Sequence, residues 1–304
     1  MDIQDIANEV KKLKVEKDIL LLAHSYQPLE IQQMADFVGD SLELSKIARD
    51  SNHKKIMYAA VHFMAETASI LSPEKQIMIA NPDAGCPLAD TITPEQVKEF
   101  KESYPNAPVV CYINSTAATK AEVDVICTSS NALKIIERLP DKIILFVPDK
   151  GLGTWLNEQT NKSVISWETG NCPTHWNAPV DKVKESKVEH PDALLVVHPE
   201  SHPDIRALAH HVCGTSGMIQ YVKENPGREF IIGTEVGMIS RLQTIYPDVV
   251  FHKAAKTFIC PNMKKTTPEI LLESLQNETT IIKVDEDIAK RAKRAIERMY
   301  ELTD

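Results

Sequence analysis

The amino-acid sequence predicts an α/β protein with three similar αβα domains of Rossmann-like type, whose parallel sheets are arranged around a pseudo-threefold axis. Short apolar runs rich in Val and Ile alternate with amphipathic stretches along the 304 residues, which is the pattern of parallel strands covered by helices. Cysteines mark a repeat, because 86 residues separate Cys86 from Cys172 and 88 separate Cys172 from Cys260. This period suits small domains better than the short units of a solenoid.

The first predicted domain comprises residues 1–87 and is completed by residues 265–304. Thr267 and Pro268 mark the start of one of its helices, because threonine can cap unbonded N–H groups and proline fits the first helical turn. Its predicted elements are a strand at 20–23, a helix opening at Gly39-Asp40-Ser41, a strand at 76–80, a helix at 268–275, a strand at 279–284 and a closing helix at 286–302.

The second and third predicted domains, residues 88–173 and 174–264, repeat this order in the same register. Each begins with a helix signal soon after a cysteine, in which Thr93 or Asn177 can cap and a proline follows. Further helices are expected to open at Thr128-Ser-Ser-Asn and at Gly214-Thr-Ser-Gly. The predicted strands lie at 107–113, 163–167, 193–198 and 249–252.

Polar residues stand at matched positions where the predicted strands end. Counted from the preceding cysteine, Tyr112 and His198 share position 26, and Asn114 and Glu200 share position 28. Ligand sites in open α/β sheets lie at the carboxyl ends of the strands, so we expect these side chains to line a site. The candidate set is His24, Tyr26, Tyr112, Asn114, His198 and Glu200 at strand ends, with Ser41, Ser129, Thr215 and Ser216 at predicted helix starts.

The same reasoning brings Cys86, Cys172 and Cys260 together, because each follows a predicted strand and directly precedes a proline. Three thiolates can bind zinc or three corners of a 4Fe-4S cluster, and either metal group keeps an open Lewis-acid position. His175, three residues after Cys172, is the candidate fourth ligand if the metal is zinc. The remaining cysteines are interpreted as small buried hydrophobic residues: Cys111, Cys127 and Cys213.

The polar set favours a small, negatively charged ligand. Helix N-termini offer N–H groups and a partial positive charge, and hydroxyl groups add donors, which suits carboxylates or a phosphate. Histidine, tyrosine and glutamate beside a metal can act as general acids and bases, each contributing roughly 10²- to 10⁴-fold in rate.

Composition excludes several other classes. The formal charge of −9 disfavours binding to nucleic acid or acidic membrane, which depends on clustered Lys and Arg. The sequence shows no long apolar run and no secretory signal, so we expect a cytoplasmic protein that does not span a membrane. A C-x-x-C pair is also missing from the sequence, which disfavours zinc ribbons and ferredoxin-type clusters.

Ten short motifs are distributed over nearly the whole chain. They are Ala23-His-Ser-Tyr-Gln27, Ala35-Asp-Phe-Val-Gly-Asp-Ser41, Phe63-Met-Ala-Glu66, Gly85-Cys-Pro87, Tyr112-Ile-Asn-Ser-Thr116, Cys127-Thr-Ser-Ser-Asn131, Cys172-Pro-Thr-His175, Val197-His-Pro-Glu200, Gly233-Thr-Glu-Val-Gly-Met238 and Cys260-Pro-Asn-Met-Lys264. With these motifs the sequence resembles the quinolinate synthase family. The resemblance implies condensation of iminoaspartate with dihydroxyacetone phosphate to quinolinate, with loss of phosphate and water, and functional coupling to an enzyme that supplies iminoaspartate.

The resemblance also implies a cofactor and roles for the matched residues. It implies one 4Fe-4S cluster held by Cys86, Cys172 and Cys260, with an open iron site that coordinates substrate. The implied proton-transfer residues are Tyr26, Tyr112, His198 and Glu200. The implied substrate-binding residues are His24, Ser41, Asn114, Ser129, Thr215 and Ser216, together with Tyr112, His198 and Glu200.

Two alternatives remain beside this interpretation. Another three-cysteine 4Fe-4S enzyme of similar architecture, of the isoprenoid diphosphate reductase or diphthamide type, should show more basic side chains near the strand ends, whereas none of the matched strand-end positions carries Arg or Lys. A non-enzymatic dicarboxylate-binding protein would bind its ligand without releasing phosphate from dihydroxyacetone phosphate.

Overall fold

The computed structural model describes residues 1–303, so that only residue 304 of the predicted closing segment lies outside the described residues. The chain divides into two compact units. The first unit comprises Met1–Cys86 and Cys260–Lys290. The second unit comprises Pro87–Ile259 and the residues from Arg291 onward.

Three four-stranded parallel sheets with intervening helices confirm the predicted α/β class and its three similar modules. In each sheet the strand order is second, first, third and fourth, counted along the chain. The strands are β1 (Ile19–His24), β2 (Phe37–Gly39), β3 (Lys55–Ala59) and β4 (Gln76–Ile79); β5 (Val109–Tyr112), β6 (Val125–Cys127), β7 (Ile143–Val147) and β8 (Ser163–Ser166); β9 (Leu194–Val197), β10 (His211–Val212), β11 (Phe230–Gly233) and β12 (Phe251–Lys253).

Fifteen α-helices connect and cover these sheets within the described residues. In chain order they are α1 (Ile3–Glu16), α2 (Leu29–Met34), α3 (Ser41–Asp50), α4 (His62–Leu71), α5 (Pro94–Glu102), α6 (Ala117–Lys120), α7 (Ala132–Arg138), α8 (Lys150–Gln159), α9 (Pro173–Trp176), α10 (Val180–Glu189), α11 (Pro203–Arg206), α12 (Thr215–Glu224), α13 (Gly237–Ile245), α14 (Pro268–Asn277) and α15 (Glu286–Glu301). A short 3₁₀ helix covers Asn262–Lys264. None of the helices in residues 1–303 is long and apolar enough to cross a membrane.

The core of the first unit forms around its first strand. All six residues of β1 are buried, as expected for an inner parallel strand that is covered on both faces. Helix α1 packs on one side of it with Ile6, Val10 and Leu13, which recur at helical spacing. Each such buried side chain contributes about 1.5–3 kcal/mol relative to an exposed one.

The second unit contains the other two sheets, and their inner strands are equally apolar. Every residue of β5 and β9 is buried. Leu195 and Val197 of β9 belong to one core with Ile205, Ile231 and Phe258. Buried apolar strands of this kind leave polar side chains only at their ends. The polar groups that can act on a ligand therefore lie at the carboxyl ends of the strands.

Of the three residues predicted to cap a helix, two are confirmed and one is wrong. Thr93 and Thr267 each accept a backbone N–H bond at the start of α5 and α14, with proline in the first turn. The prediction that Asn177 caps a helix is wrong, because Asn177 ends the short helix α9. Helix α10 begins only at Val180, after Pro179, because the proline that follows Cys172 has already started a separate helical turn.

The predicted strand at 279–284 is also wrong as a regular strand. Only Ile281 forms a bridge, and it pairs with Met78 in the antiparallel direction. Backbone bonds nevertheless hold this segment against the edge strand β4, with the N–H of Ile79 donating to Thr280 O at 2.9 Å. The pairing ends after Ile282 because the chain leaves the edge to begin α15.

Candidate active site

The three cysteines of the repeat occupy the same place relative to their own sheets. Cys86, Cys172 and Cys260 follow β4, β8 and β12 by six or seven residues. Each of these strands is the last of its sheet and lies at its edge, and the loop leaves from the carboxyl end. All three cysteines are half-buried thiols.

In the first unit, hydrogen bonds join the loops that carry Cys86 and Cys260. Asn81 Nδ2 donates to the backbone oxygen of Lys265 at 2.9 Å, and Asn81 Oδ1 accepts from the N–H of Asp83. Lys265 Nζ donates in return to Asp83 O at 2.6 Å. The two loops are therefore hydrogen-bonded to each other.

The first strand of this unit ends in a tight turn that contains His24 and Tyr26. His24 is buried, its Nδ1 accepts the backbone N–H of Tyr26 at 3.1 Å, and the two rings meet edge to face at 4.7 Å. Because Nδ1 accepts a bond, the neutral ring carries its proton on Nε2. Lys264 Nζ donates to Tyr26 O at 2.5 Å, which ties this turn to the chain just after Cys260.

The same turn recurs after β9 in the second unit. The backbone N–H of Glu200 donates to His198 Nδ1 at 3.3 Å, and both side chains are buried. In its neutral form His198 thus has the tautomer inferred for His24, with its proton on Nε2. The matched sequence positions correspond to matched local structure in these two modules.

A buried network connects the third module to the loop of Cys172. His175 Nδ1 lies 2.7 Å from Glu200 Oε2 and 3.2 Å from Cys172 Sγ. His175 Nε2 lies 2.8 Å from Thr234 Oγ1, and the imidazole ring stacks on His198 with centroids 4.7 Å apart. Hydroxyl, imidazole and carboxylate therefore form a continuous chain along which a proton can be passed.

Two carboxyl groups in this region have pKa values shifted in opposite directions. Burial alone raises the pKa of Glu200, but the adjacent His198 and His175 and a hydrogen bond from Tyr112 outweigh it and lower the pKa below its usual range. Burial, followed by the charge of Glu200, raises the pKa of Asp149 well above its usual range. Glu200 is therefore the ionised member of the pair at neutral pH.

Asp149 also fixes the backbone of Cys172. Its carboxyl group caps α8 by accepting the N–H of Leu152 at 2.5 Å, and its second oxygen accepts the N–H of Cys172 at 3.1 Å. The thiol-bearing loop is thereby attached to the start of α8, so the position of Cys172 is set by the sheet that precedes it.

Hydroxyl groups lie near helix starts, as the sequence predicted for most of them. Ser41 is the first residue of α3 and Thr215 the first of α12, whereas Ser129 precedes α7, which begins only at Ala132. The expectation that Ser129 opens a helix is therefore wrong by three residues, because Asn131 is the N-cap. Ser129 instead lies against α12, since a Cβ on Gly214 would be 2.5 Å from Ser129 Oγ. The Ser129 hydroxyl and the N-terminus of α12 are thus brought together.

The other predicted residues take these positions. Tyr112 is buried at the end of β5, Asn114 is half-buried two residues later, and Ser216 is half-buried in the first turn of α12. The predicted site residues of the first unit are His24, Tyr26, Ser41, Cys86 and Cys260. Those of the second unit are Tyr112, Asn114, Ser129, Cys172, His198, Glu200, Thr215 and Ser216.

The donor chemistry fits an iron-sulfur cluster better than zinc with a histidine ligand. Cys172, His175 and Glu200 place one ligand atom each within 4.8 Å of one another. Both nitrogens of His175, however, already contact oxygen atoms of Glu200 and Thr234, so this ring is engaged in hydrogen bonds. What recurs in all three modules is a half-buried thiol on the loop after the last strand, and thiolates are the usual ligands of iron-sulfur clusters.

The remaining three cysteines have thiols that resist ionisation. Burial raises the pKa of Cys111 to about 11 and that of the half-buried Cys213 to about 12, and it raises the pKa of Cys127 well above its usual value. A thiol that resists ionisation is a poor metal ligand.

Sequence reasoning missed three residues of the network. Thr234 and Asp149 were not singled out, and His175 was considered only as a zinc ligand. Thr234 and His175 belong to motifs noted in the sequence, but their contact joins positions 59 residues apart. Asp149 showed no signal beyond a position that suits a helix cap.

Comparison with known proteins gives a consistent result. The family model described as quinolinate synthetase A protein matches residues 8–301. The chain is 47% identical over 295 residues to a quinolinate synthase of Geotalea uraniireducens, with 97% of each chain covered. It is 45% identical to the quinolinate synthase of Geobacter metallireducens, with 98% of each covered, and 47% identical to that of Thermodesulfovibrio yellowstonii, with 97% of each covered.

Proposed function

The chain belongs to the quinolinate synthetase A family, and we propose that it is an enzyme of NAD biosynthesis that condenses iminoaspartate with dihydroxyacetone phosphate to form quinolinate, phosphate and water. The observation that carries this proposal is the half-buried thiol found at the same place after the last strand of all three sheets. Three cysteines at equivalent places can supply three ligands of one cluster.

The proposed cofactor is one 4Fe-4S cluster held by Cys86, Cys172 and Cys260, with one iron open to substrate. When bound, the cluster supplies a Lewis acid that polarises a carbonyl or hydroxyl oxygen. Two features of the protein support this assignment: the loops of Cys86 and Cys260 are hydrogen-bonded together, and Asp149 and His175 contact Cys172.

Proton transfer is assigned to Tyr26, Tyr112, His198 and Glu200. Glu200 is assigned as a proton acceptor because its carboxylate is ionised and lies 2.7 Å from His175 Nδ1, through which a proton can pass. His175 and Thr234 orient that carboxylate and can return the proton. In its neutral form His198 carries its proton on Nε2, since Nδ1 accepts the backbone N–H of Glu200, and Nε2 is the nitrogen from which it would transfer a proton.

Substrate binding is assigned to the polar groups that remain. His24 offers the same Nε2–H donor as His198, and Asn114 would orient the condensing chain through its amide. Ser41 and the Ser129 hydroxyl beside the start of α12, with Thr215 and Ser216, supply donors for carboxylate and phosphate oxygen atoms.

The proposal also covers the domain boundaries and the location of the protein. We assign residues 1–87 with 265–304, 88–173 and 174–264 to three αβα domains, each containing one of the three sheets. The expected location is the cytoplasm, where an enzyme that produces the unstable iminoaspartate would act immediately before this one.

Iron analysis paired with an activity assay tests the proposal. Anaerobically purified protein should contain about four iron and four sulfide per chain and form quinolinate from the two substrates. Cys86→Ser, Cys172→Ser and Cys260→Ser should each lose the cluster and the activity. Cys111→Ser, Cys127→Ser and Cys213→Ser are the matched controls and should keep iron near the wild-type level. An equal loss of iron in both sets, or a cluster without quinolinate formation, would contradict the assignment.

A further inference from the structure

A buried hydrogen-bond donor recurs eight residues after the strand-end position in every module. The eighth residue after His24 is Gln32, the eighth after Tyr112 is Lys120, and the eighth after His198 is Arg206. Each lies near or at the end of a short helix, α2, α6 or α11, and each is less than 10% exposed.

In the first module the donor is the amide of Gln32. Its Nε2 donates to Ser25 O at 3.0 Å and to Gln27 O at 2.8 Å. These two carbonyl groups lie one and three residues after His24. The residue between them is Tyr26, so the amide holds the backbone on both sides of that tyrosine.

In the third module the guanidinium of Arg206 makes the same two contacts. Its Nη1 donates to Ser201 O at 2.8 Å and to Pro199 O at 3.4 Å, which flank Glu200. The same nitrogen also donates to Gly151 O at 3.1 Å, in the first turn of α8. Gly151 packs so closely on the backbone of Glu200 that a side chain there would clash with it.

In the second module Lys120 takes this place. It is fully buried, and its Nζ donates to Ser115 O, three residues after Tyr112. The residue before Ser115 is Asn114. A buried lysine is costly to maintain, and its ammonium group requires backbone or charged partners.

We propose that Gln32, Lys120 and Arg206 are equivalent positioning residues, which hold the strand-end turns so that Tyr26, Asn114 and Glu200 keep their orientation in the active site. Three chemically different side chains perform one task, which is donation to backbone carbonyl groups beside the functional residue: on both sides of it for Gln32 and Arg206, and on its C-terminal side for Lys120. This also explains how basic residues occur near the strand ends without forming a diphosphate site, since Lys120 is directed at a backbone carbonyl and Arg206 at backbone carbonyls and the carboxylate of Glu158.

The pattern differs from ordinary lysine or glutamine capping. Lys162 likewise donates to backbone carbonyl groups, those of Ile136, Glu137 and Leu139, but these end helix α7 and lie away from the strand-end turns. Gln243 donates to Pro247 O and Val249 O on an exposed loop. These two residues therefore provide controls of matched chemistry.

The test compares Gln32→Met, Lys120→Met and Arg206→Met with the controls Lys162→Met and Gln243→Met. Peptide-level hydrogen exchange of the cluster-loaded proteins should rise at least tenfold in residues 24–28, 112–116 or 198–202, respectively, and only in the turn whose donor was removed. Arg206→Lys keeps a cation and should restore part of the protection. Gln32→Met changes no charge, so its exchange measurement still tests the proposal if Lys120→Met or Arg206→Met fails to fold.

The kinetic arm rests on the proposed function. Each of the three variants should lower kcat for quinolinate at least tenfold with iron content unchanged and with a smaller change in KM, whereas both controls should match wild type. Unchanged exchange in all three turns, or equal effects in the controls, would overturn the positioning role. If wild type forms no quinolinate, the proposed function fails, while the exchange data still decide this inference.

Discussion

Glu200 shows how several weak contacts define one functional side chain. The side chain is buried, but its Oε2 lies 2.7 Å from His175 Nδ1 and its carboxylate accepts a hydrogen bond from Tyr112. Its backbone N–H donates to His198 Nδ1. These contacts lower its pKa, so the carboxylate stays ionised throughout the neutral range. Asp149, which has neither histidine as a hydrogen-bond partner in the described contacts, shifts the other way.

Glu200→Gln is expected to keep the fold and the cluster but to abolish most turnover. The amide retains the shape but loses the negative charge that accepts protons, so kcat should fall roughly 10²- to 10⁴-fold. Iron content and quinolinate formation measure the two effects separately. The control is Glu229→Gln, which removes the carboxylate from another histidine pair, with His252 at 2.8 Å, and should behave as wild type. Wild-type turnover in Glu200→Gln would exclude this residue from the mechanism.

At the scale of single elements, helix α12 illustrates how a small residue permits a functional contact. Its N-cap, Gly214, carries no side chain, and this allows Ser129 to approach the first turn, where Thr215 and Ser216 lie. The contact joins loops that follow strands of two different sheets, β6 and β10. A larger residue at 214 would therefore separate groups that we assign to one anion.

Gly214→Ala is expected to weaken substrate binding more than catalysis. The added Cβ would lie 2.5 Å from Ser129 Oγ, so the serine must move away. We expect KM for dihydroxyacetone phosphate to rise about tenfold, equivalent to ~1.4 kcal/mol of binding free energy, with a smaller effect on kcat. Steady-state kinetics with Gln220→Ala, an exposed position on the same helix, provide the comparison. An unchanged KM would show that Ser129 and α12 do not act on the same ligand.

At the scale of the whole molecule, the proposed cluster is a bound ligand held by three thiolates, those of Cys86, Cys172 and Cys260. A ligand that binds only the folded state stabilises it by mass action. The proposed cluster should therefore contribute to the stability of the complete chain as well as to catalysis.

Removal of the cluster by anaerobic chelation is expected to lower the thermal midpoint by roughly 5 °C or more, since a tightly bound ligand adds several kcal/mol to the folded state. Differential scanning calorimetry before and after chelation measures the shift. The Cys86→Ser protein provides the control, because it should lack the cluster and show no response to the chelator. An identical thermal midpoint for wild-type protein with and without the cluster would mean that the cluster does not stabilise the folded chain.

Local sequence patterns determined much of this protein. Apolar runs predicted the strands because inner parallel strands are buried on both faces, and the cysteine spacing predicted three modules of one strand order. Thr93 and Thr267 predicted helix starts because capping depends on neighbouring residues alone. The ten motifs predicted the family.

Only the tertiary structure decided the contacts between distant residues. The partnership of His175 with Thr234, the packing of Gly214 on Ser129 and the three buried donors Gln32, Lys120 and Arg206 have no local signature. The segment at 279–284 looked like a strand, but its pairing depends on where β4 offers an edge. Local propensity acts between neighbours along the chain, whereas burial and hydrogen bonding depend on which groups the fold brings within about 3 Å of each other.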